Sequence, residues 1–314
     1  MATEAAKQKT AARALRRGGL ARGLRRDWEL YLLLLLPMLF VLVFKYGSYV
    51  GLTVAFQDYK ILKGTGVWTG FQNFEKVFRT RDFARSFRNT LLLNGLDLVV
   101  GFPMPILLAL LLNEVRNRYF KKVSQTLLYL PHFLSWVIIG SIAYQLFSLS
   151  GIVNTVIEGA GGKAVPFLQE NTHWLVSYIV IGVWQTMGWG TIVYLAAITG
   201  INPELYEAAI VDGASRFRQV LHITLPGIRA TIVTLLIMNL GRVMGGSFER
   251  VYSLMNVATT EYIYTIPVQV YRWGLESGKY SQATALGLFQ SIIGLALVLL
   301  SDFAAKRIGE EGLL

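Results

Sequence analysis

Asn202-Pro-Glu-Leu-Tyr-Glu207-Ala208-Ala209-Ile-Val-Asp212-Gly213-Ala214-Ser215-Arg-Phe217-Arg-Gln-Val220-Leu221-His-Ile223-Thr-Leu225-Pro226 is the stretch that decides how this 314-residue chain is read. Asn202 is a good N-cap and Pro203 suits the first helical position, so a short helix begins here. Asp212-Gly213 breaks it, because Gly takes a left-handed backbone at little steric cost. Ser215 can cap a second helix, on which Phe217, Val220, Leu221 and Thr224 fall on one face. Pro226 ends that helix before a long apolar run. Two short helices around a sharp turn are therefore expected, held at a membrane surface. The pair Ala208-Ala209 gives the first helix a flat face that another protein can approach closely.

The membrane follows from what flanks this segment. Apolar stretches run over 30–54, 89–112, 126–148, 174–199, 228–247 and 283–303, and a span needs about 20 apolar residues. The chain is 54% hydrophobic and only 16% charged. Soluble domains carry about 25% charged residues, so a wholly soluble protein is not expected. The first stretch follows a basic region, as a signal peptide would. Its apolar core is long, however, and no small-x-small site follows at Phe44-Lys45-Tyr46, so an uncleaved anchor is expected. The reading is an all-α integral membrane protein with six spans. A basic tail occupies 1–29, the transmembrane domain 30–303 with the connecting loop 201–226, and a second tail 304–314.

Charge orients it. Seventeen Lys and Arg fall on the side of both termini and twelve on the other, with Lys45 inside the first span. That bias places both termini in the cytoplasm. The net charge of +11 is thus membrane anchoring, and no nucleic acid is expected. The first external loop opposes the trend, with seven basic residues between Lys60 and Arg88. There Phe71, Phe74, Phe78 and Phe83 alternate with Lys76, Arg79 and Arg81, as in a helix lying on the outer interface.

Catalytic chemistry is missing. There is no Cys, hence no disulfide, thiolate metal site or thiol nucleophile. Ile157-Glu-Gly-Ala-Gly-Gly-Lys163-Ala164 lacks the Gly and the Ser or Thr that a phosphate loop needs. His132, His173 and His222 lack metal spacing, and no G-x-S-x-G occurs. No catalytic residue, metal or bound cofactor is expected. A transporter of this kind that uses ATP must borrow its ATPase from another chain. Lys45 and Asp97 keep an ion-driven secondary transporter open as the alternative. Asp97 would pair with Lys45 or cap a cavity.

The run Glu207-Ala-Ala-x-x-Asp-Gly-Ala214, followed by Phe217 and Leu225-Pro226, resembles the EAA loop of binding-protein-dependent ABC importer permeases. Gly70-Phe71-Gln-Asn73-Phe74 and Asn89-Thr90 resemble the carbohydrate-uptake (maltose-type) members. Tyr129-Leu130-Pro131-His132-Phe133-Leu134-Ser135-Trp136, Gly151-Ile-Val-Asn154 and Tyr271-Arg-Trp-Gly274-Leu275 look like the subgroup serving oligosaccharides, including acidic plant and algal saccharides. The resemblance implies a type I ABC importer permease in a bacterial cytoplasmic (inner) membrane. It implies a second homologous permease subunit, two ATPase subunits carrying ATP and Mg, and an extracytoplasmic solute-binding protein. It makes Glu207, Ala208, Ala209, Asp212, Gly213 and Phe217 the residues that couple to the ATPase.

A sugar path is expected where aromatic faces meet hydrogen-bonding groups. The fourth span offers Trp184, Gln185 and Trp189, in a stretch that lines the sugar site of maltose-type permeases. The fifth offers Asn239, Arg242 and Gly246. Trp184 and Trp189 are offset by about 140° on a helix, so only one faces a cavity squarely. Trp184 is expected to do so, beside Gln185, while Trp189 packs. Asn239 and Arg242 share a face. An Arg in a span needs a carboxylate partner or an anionic sugar. Gly241 and Gly245 read as helix-packing glycines.

Overall fold

The computed structural model describes residues 27–61, 64–246, 248–256, 258–307, 309 and 312. Most of the assigned N-terminal tail, and five residues of the C-terminal one, therefore lie outside the described residues. The chain divides into two units, Met1–Thr53 and Val54–Leu314. In the first, helix α1 (Trp28–Phe40) continues through a widened turn, Val41–Tyr46. Its sequence, WELYLLLLLPMLF, is apolar on every side, as a helix surrounded by lipid or other helices must be.

The second unit opens with a hairpin of β1 (Gln57–Lys60) and β2 (Thr65–Trp68), antiparallel with Gln57 opposite Trp68. The sequence reading had only an interfacial helix here. A helix is present there as α2 (Gln72–Phe78), but it stops short of Arg81 and Phe83, because Thr80 caps a separate helix, and the hairpin precedes it. Asn73 joins the two, its buried amide donating to the carbonyls of Ala55 at 3.0 Å and Gln57 at 2.9 Å. Phe71, Phe74, Phe78 and Phe83 form a chain of ring contacts that reaches Phe289.

The second span, Arg81–Glu114, is continuous in direction but not in winding. Helix α3 (Arg81–Leu96) passes through a widened turn, Asp97–Gly101, into α4 (Pro103–Glu114). Pro103 and Pro105 lack the N–H groups a regular ladder would use at this junction. The apolar run read as 126–148 proves to be two elements. Helix α5 (Arg118–Tyr129) ends at a turn containing Pro131, and Ser135 then caps α6 (Trp136–Phe147) by accepting from the Ile138 N–H. The span itself is Trp136–Gly159, including α7 (Ile152–Gly159). Hydropathy alone merged a surface helix with the span that follows it.

Helix α8 (Asn171–Thr199) is the unbroken fourth span and the centre of the bundle. Its Trp174 and Tyr178 are fully buried with Leu93, Ile139, Val251 and Leu254. The Trp174 indole N–H donates to the Leu254 carbonyl at 2.8 Å. Farther along, Tyr194, Leu195 and Ile198 pack with Ala109, Leu112 and Ile228.

The fifth span is bent and broken. The run Arg216–Gly227 meets α11 (Arg229–Arg242) at 60°. Helix α11 has 14 residues, about 21 Å at 1.5 Å per residue, against ~30 Å of hydrocarbon. The chain leaves the helix after Arg242 and resumes as α12 (Phe248–Leu254). Non-helical backbone at membrane depth is tolerated where it lines a cavity, and Gly246, with φ +46°, lies in such a place. The last span, α13 (Tyr280–Arg307), packs along α11. A Cβ on Gly241 would come within 2.3 Å of the Val298 side chain, so Gly241 is a packing glycine as its sequence context suggested; Gly245 is not, since it lies in the turn past α11, where an added Cβ meets only ordinary contacts from 3.5 Å.

Candidate functional site

The connecting segment forms as its residues dictate. Helix α9 (Pro203–Val211) starts at Asn202, whose side chain accepts from the Glu204 N–H at 3.1 Å. It ends at Gly213, φ +69°. There the Ala214 N–H donates to the Ala209 carbonyl at 2.8 Å and the Gly213 N–H to the Ile210 carbonyl at 3.0 Å. This pair of bonds closes a helix through a left-handed residue. Ser215 caps α10 (Arg216–Gln219), which runs on through Val220–Thr224 to Gly227.

Two contacts hold the segment in place. The Tyr206 hydroxyl meets the Thr224 hydroxyl at 3.0 Å, tying the two helices together. Arg216 pairs with Glu114 at 2.8 Å, which puts the ends of the second and fourth spans on one side of the bundle. The outer face is left open. Glu207, Ala208, Asp212, Gly213 and Phe217 are exposed and Ala209 is half-buried. Glu207 makes no ion pair among the described residues, while Leu205, Ile210, Val211 and Phe217 present apolar surface beside it. The segment is thus a tight turn with exposed apolar groups and two exposed carboxylates, Glu207 and Asp212, that make no ion pair among the described residues.

A cavity of about 710 Å³ lies between the second, fourth and fifth spans. Gln185, Trp189, Asn239, Arg242 and Gly246 all line it; Trp184 does not. The expected order of the two tryptophans is therefore reversed. Trp189 stands on the wall, its indole stacked on the His132 imidazole with centroids 4.6 Å apart and planes 6° from parallel. Trp184 belongs to another face of α8, about 140° away. Gln185 is buried, and the Asn239 amide bonds the Leu235 carbonyl of its own helix.

Asp97 also lines the cavity, but its partner is Arg250, at 2.8 Å, and not Lys45. Arg250 lies outside the apolar stretches, and no pattern at the residue itself marks it in the sequence. It is 4% exposed. One nitrogen of its guanidinium donates to both Asp97 oxygens and another to the Tyr178 carbonyl, and the group lies 3.5 Å from the centre of the Tyr178 ring. Gly182 leaves the room for it. The two arginines thus differ in kind. Arg250 is buried and neutralised, whereas Arg242 is exposed to the cavity and has no carboxylate partner among the described residues. Among those residues no three His, Cys, Asp or Glu side chains gather as a metal site. The cavity offers binding groups: an aromatic platform, amides and one open cation.

Comparison with known proteins identifies the family of the chain. Residues 101–310 match the binding-protein-dependent transport system inner membrane component family, and the chain belongs to it. It is a multi-pass membrane permease subunit of an ABC importer, not an enzyme, and the ion-driven alternative finds no support. The chain is 45% identical over 287 residues to the polygalacturonan/rhamnogalacturonan transport system permease protein YteP of Bacillus subtilis (strain 168), covering 90% of this chain and 89% of that one. It is 42% identical to protein LplB of the same organism, with 92% of each chain covered. Among solved structures it superposes on a bacterial alginate ABC transporter in complex with an alginate pentasaccharide-bound periplasmic protein. That match has a TM-score of 0.85 and 40% identity, covering 93% of this chain and 99% of that one.

Proposed function

We propose that this chain forms one half of the translocation path for an acidic oligosaccharide delivered by an extracytoplasmic binding protein. The observation that carries the reading is the charge of the cavity wall. Asp97 and Arg250 cancel each other, and Arg242 has no carboxylate partner among the described residues. An uncompensated guanidinium at membrane depth is costly. A cargo carboxylate matches its planar fork. The Trp189–His132 pair offers a flat face to a sugar ring. Relatives named for polygalacturonan and alginate are consistent with that cargo.

The other half of the path comes from a second homologous permease. Helices α9 and α10 dock on one of two ATPase subunits, which bind ATP and Mg. Closure of that pair pulls the docked helices and reorients the cavity. The basic residue bias supports both termini in the cytoplasm of a bacterial inner membrane. Reporters after Lys306 and near Ser215 should then read as cytoplasmic, and one near Gly162 as external. A cytoplasmic signal near Gly162 would overturn the orientation.

Uptake of uronate and neutral oligosaccharides, in a strain lacking the native chain, tests the cargo reading. Arg242→Gln should cut uronate uptake about ten- to a hundredfold, the effect of losing ~1.5–3 kcal/mol of charge-assisted bonding. Neutral cargo should be affected far less. Trp189→Ala should slow both cargoes, and Trp184→Ala neither. Equal losses of both cargo classes in Arg242→Gln would sink the assignment of an acidic cargo.

A further inference from the structure

The two irregular stretches of the spans are joined to each other. Asn94, just before the widened turn of the second span, donates through its amide to the Val243 carbonyl at 2.6 Å. Val243 is the first residue past α11, so this bond satisfies a carbonyl at the break. Gly246 fits against the same amide, where an added Cβ would come within 2.9 Å of the Asn94 nitrogen. One turn farther, Asp97 holds Arg250, the third residue of α12. Asn94 and Asp97 are three apart and share a helix face. That single face therefore grips both ends of the segment from Val243 to Arg250.

The grip at Arg250 is directional. A buried ion pair adds little net stability over a well-packed apolar pair, but a fork held on two sides fixes geometry. Here Asp97 holds one nitrogen and the Tyr178 carbonyl holds another. Being 4% exposed, Arg250 has almost no surface to offer a cargo. Its influence on the cavity has to pass through the segment it anchors, and that segment begins one residue after Arg242.

We propose that Asp97 and Arg250 are a positioning pair: with Asn94 they clamp the broken fifth span to the second, and so fix where Asn239 and Arg242 stand on the cavity wall. This inference rests on the reading of Arg242 as the ligand of a cargo carboxylate.

The chain has no Cys, so Gly245→Cys supplies a single thiol on the wall. An added Cβ there meets its nearest atom, the Arg242 carbonyl oxygen, at 3.5 Å, which is ordinary contact. In the assembled transporter, the rate of labelling by a small maleimide reports how firmly the segment is held. Adding Asp97→Asn should speed labelling about tenfold. It should raise the KM for uronate oligosaccharide about tenfold, equivalent to ~1.4 kcal/mol. The maximal rate, and the KM for neutral cargo, should stay within about twofold, well under that ~1.4 kcal/mol. Asp97→Glu should restore both readouts. Should Asp97→Asn fail to reach the membrane, Asn94→Leu cuts the other attachment without orphaning a buried charge, and carries the same expectation. Unchanged labelling, or equal KM shifts for both cargo classes, would overturn the proposal. If Arg242→Gln spares uronate uptake, the cargo reading fails on its own, and the labelling rate alone then decides whether the clamp exists.

Discussion

Gly213→Pro should abolish uptake while leaving the protein in the membrane. Gly213 holds φ at +69°, whereas Pro is confined near −65°. The substitution also removes the N–H that donates to the Ile210 carbonyl. Both bonds that close α9 are then lost, and α10 can no longer leave at the observed angle. Among the described residues nothing lies within 4 Å of an added Cβ at this position, so the damage is conformational and not steric. Milder substitutions should grade accordingly. Gly213→Ala bears the left-handed penalty of roughly 1–2 kcal/mol, and Gly213→Asn less, because Asn tolerates that region. Uptake should fall in the order Gly, Asn, Ala, Pro. Co-purification of the ATPase should fall in the same order. Glu207→Ala, which leaves the turn intact, should also lose transport at normal protein levels. Near-normal uptake by the Pro variant would remove the docking role from this segment.

The connecting segment was legible because its determinants are local. A cap at Asn202, a left-handed Gly213 and a cap at Ser215 are each decided within four residues. The cavity was only half legible, and the two tryptophans say why. Sequence gives the angle between Trp184 and Trp189 but not the phase of the helix. Helix α8 is apolar around its whole circumference, so no polar stripe marks which face is inward. Only packing supplies the phase: Gly188 against α5, and Thr191, whose hydroxyl donates to the Pro105 carbonyl at 3.2 Å. Arg250 was illegible for a related reason. Its partners Asp97 and Tyr178 are 153 and 72 residues away. A hydropathy window around Phe-Glu-Arg-Val-Tyr reads as loop. The signal that could have found it is the pair Gly245-Gly246, a chain break followed by a short helical repeat of apolar residues. Likewise Pro131 and Ser135 carried the true start of the third span, and a hydropathy count passes over both.

Gly188 shows how tightly the cavity wall is built, and substitution there should cost folding itself. A Cβ on Gly188 would lie 1.9 Å from the Leu128 carbonyl oxygen and 2.5 Å from its carbon. Those are backbone atoms inside α5, so no rotamer change relieves the clash; α5 and α8 have to move apart. The opposite side of α8 gives no room either. Gly190 meets the Pro105 ring at 2.9 Å from an added Cβ, and α4 packs along α8 over much of its length. Helix α8 is thus wedged between two neighbours that touch its backbone, with Gln185 and Trp189 on the cavity wall beside the wedge. Overpacking of this kind costs about 1–3 kcal/mol per site, occasionally more. Gly188→Ala should therefore lower the thermal midpoint of the detergent-solubilised protein by several degrees, and Gly188→Val should prevent its accumulation in the membrane. Gly95→Ala is the matched control. It lies inside α3 with nothing among the described residues within 4 Å of an added Cβ, and Ala is the better helix former by about 1 kcal/mol. That variant should be as stable as the parent or more so. If Gly188→Ala and Gly95→Ala melted alike, the close approach of α5 to α8 would be wrong, and with it the placement of Trp189 on the wall.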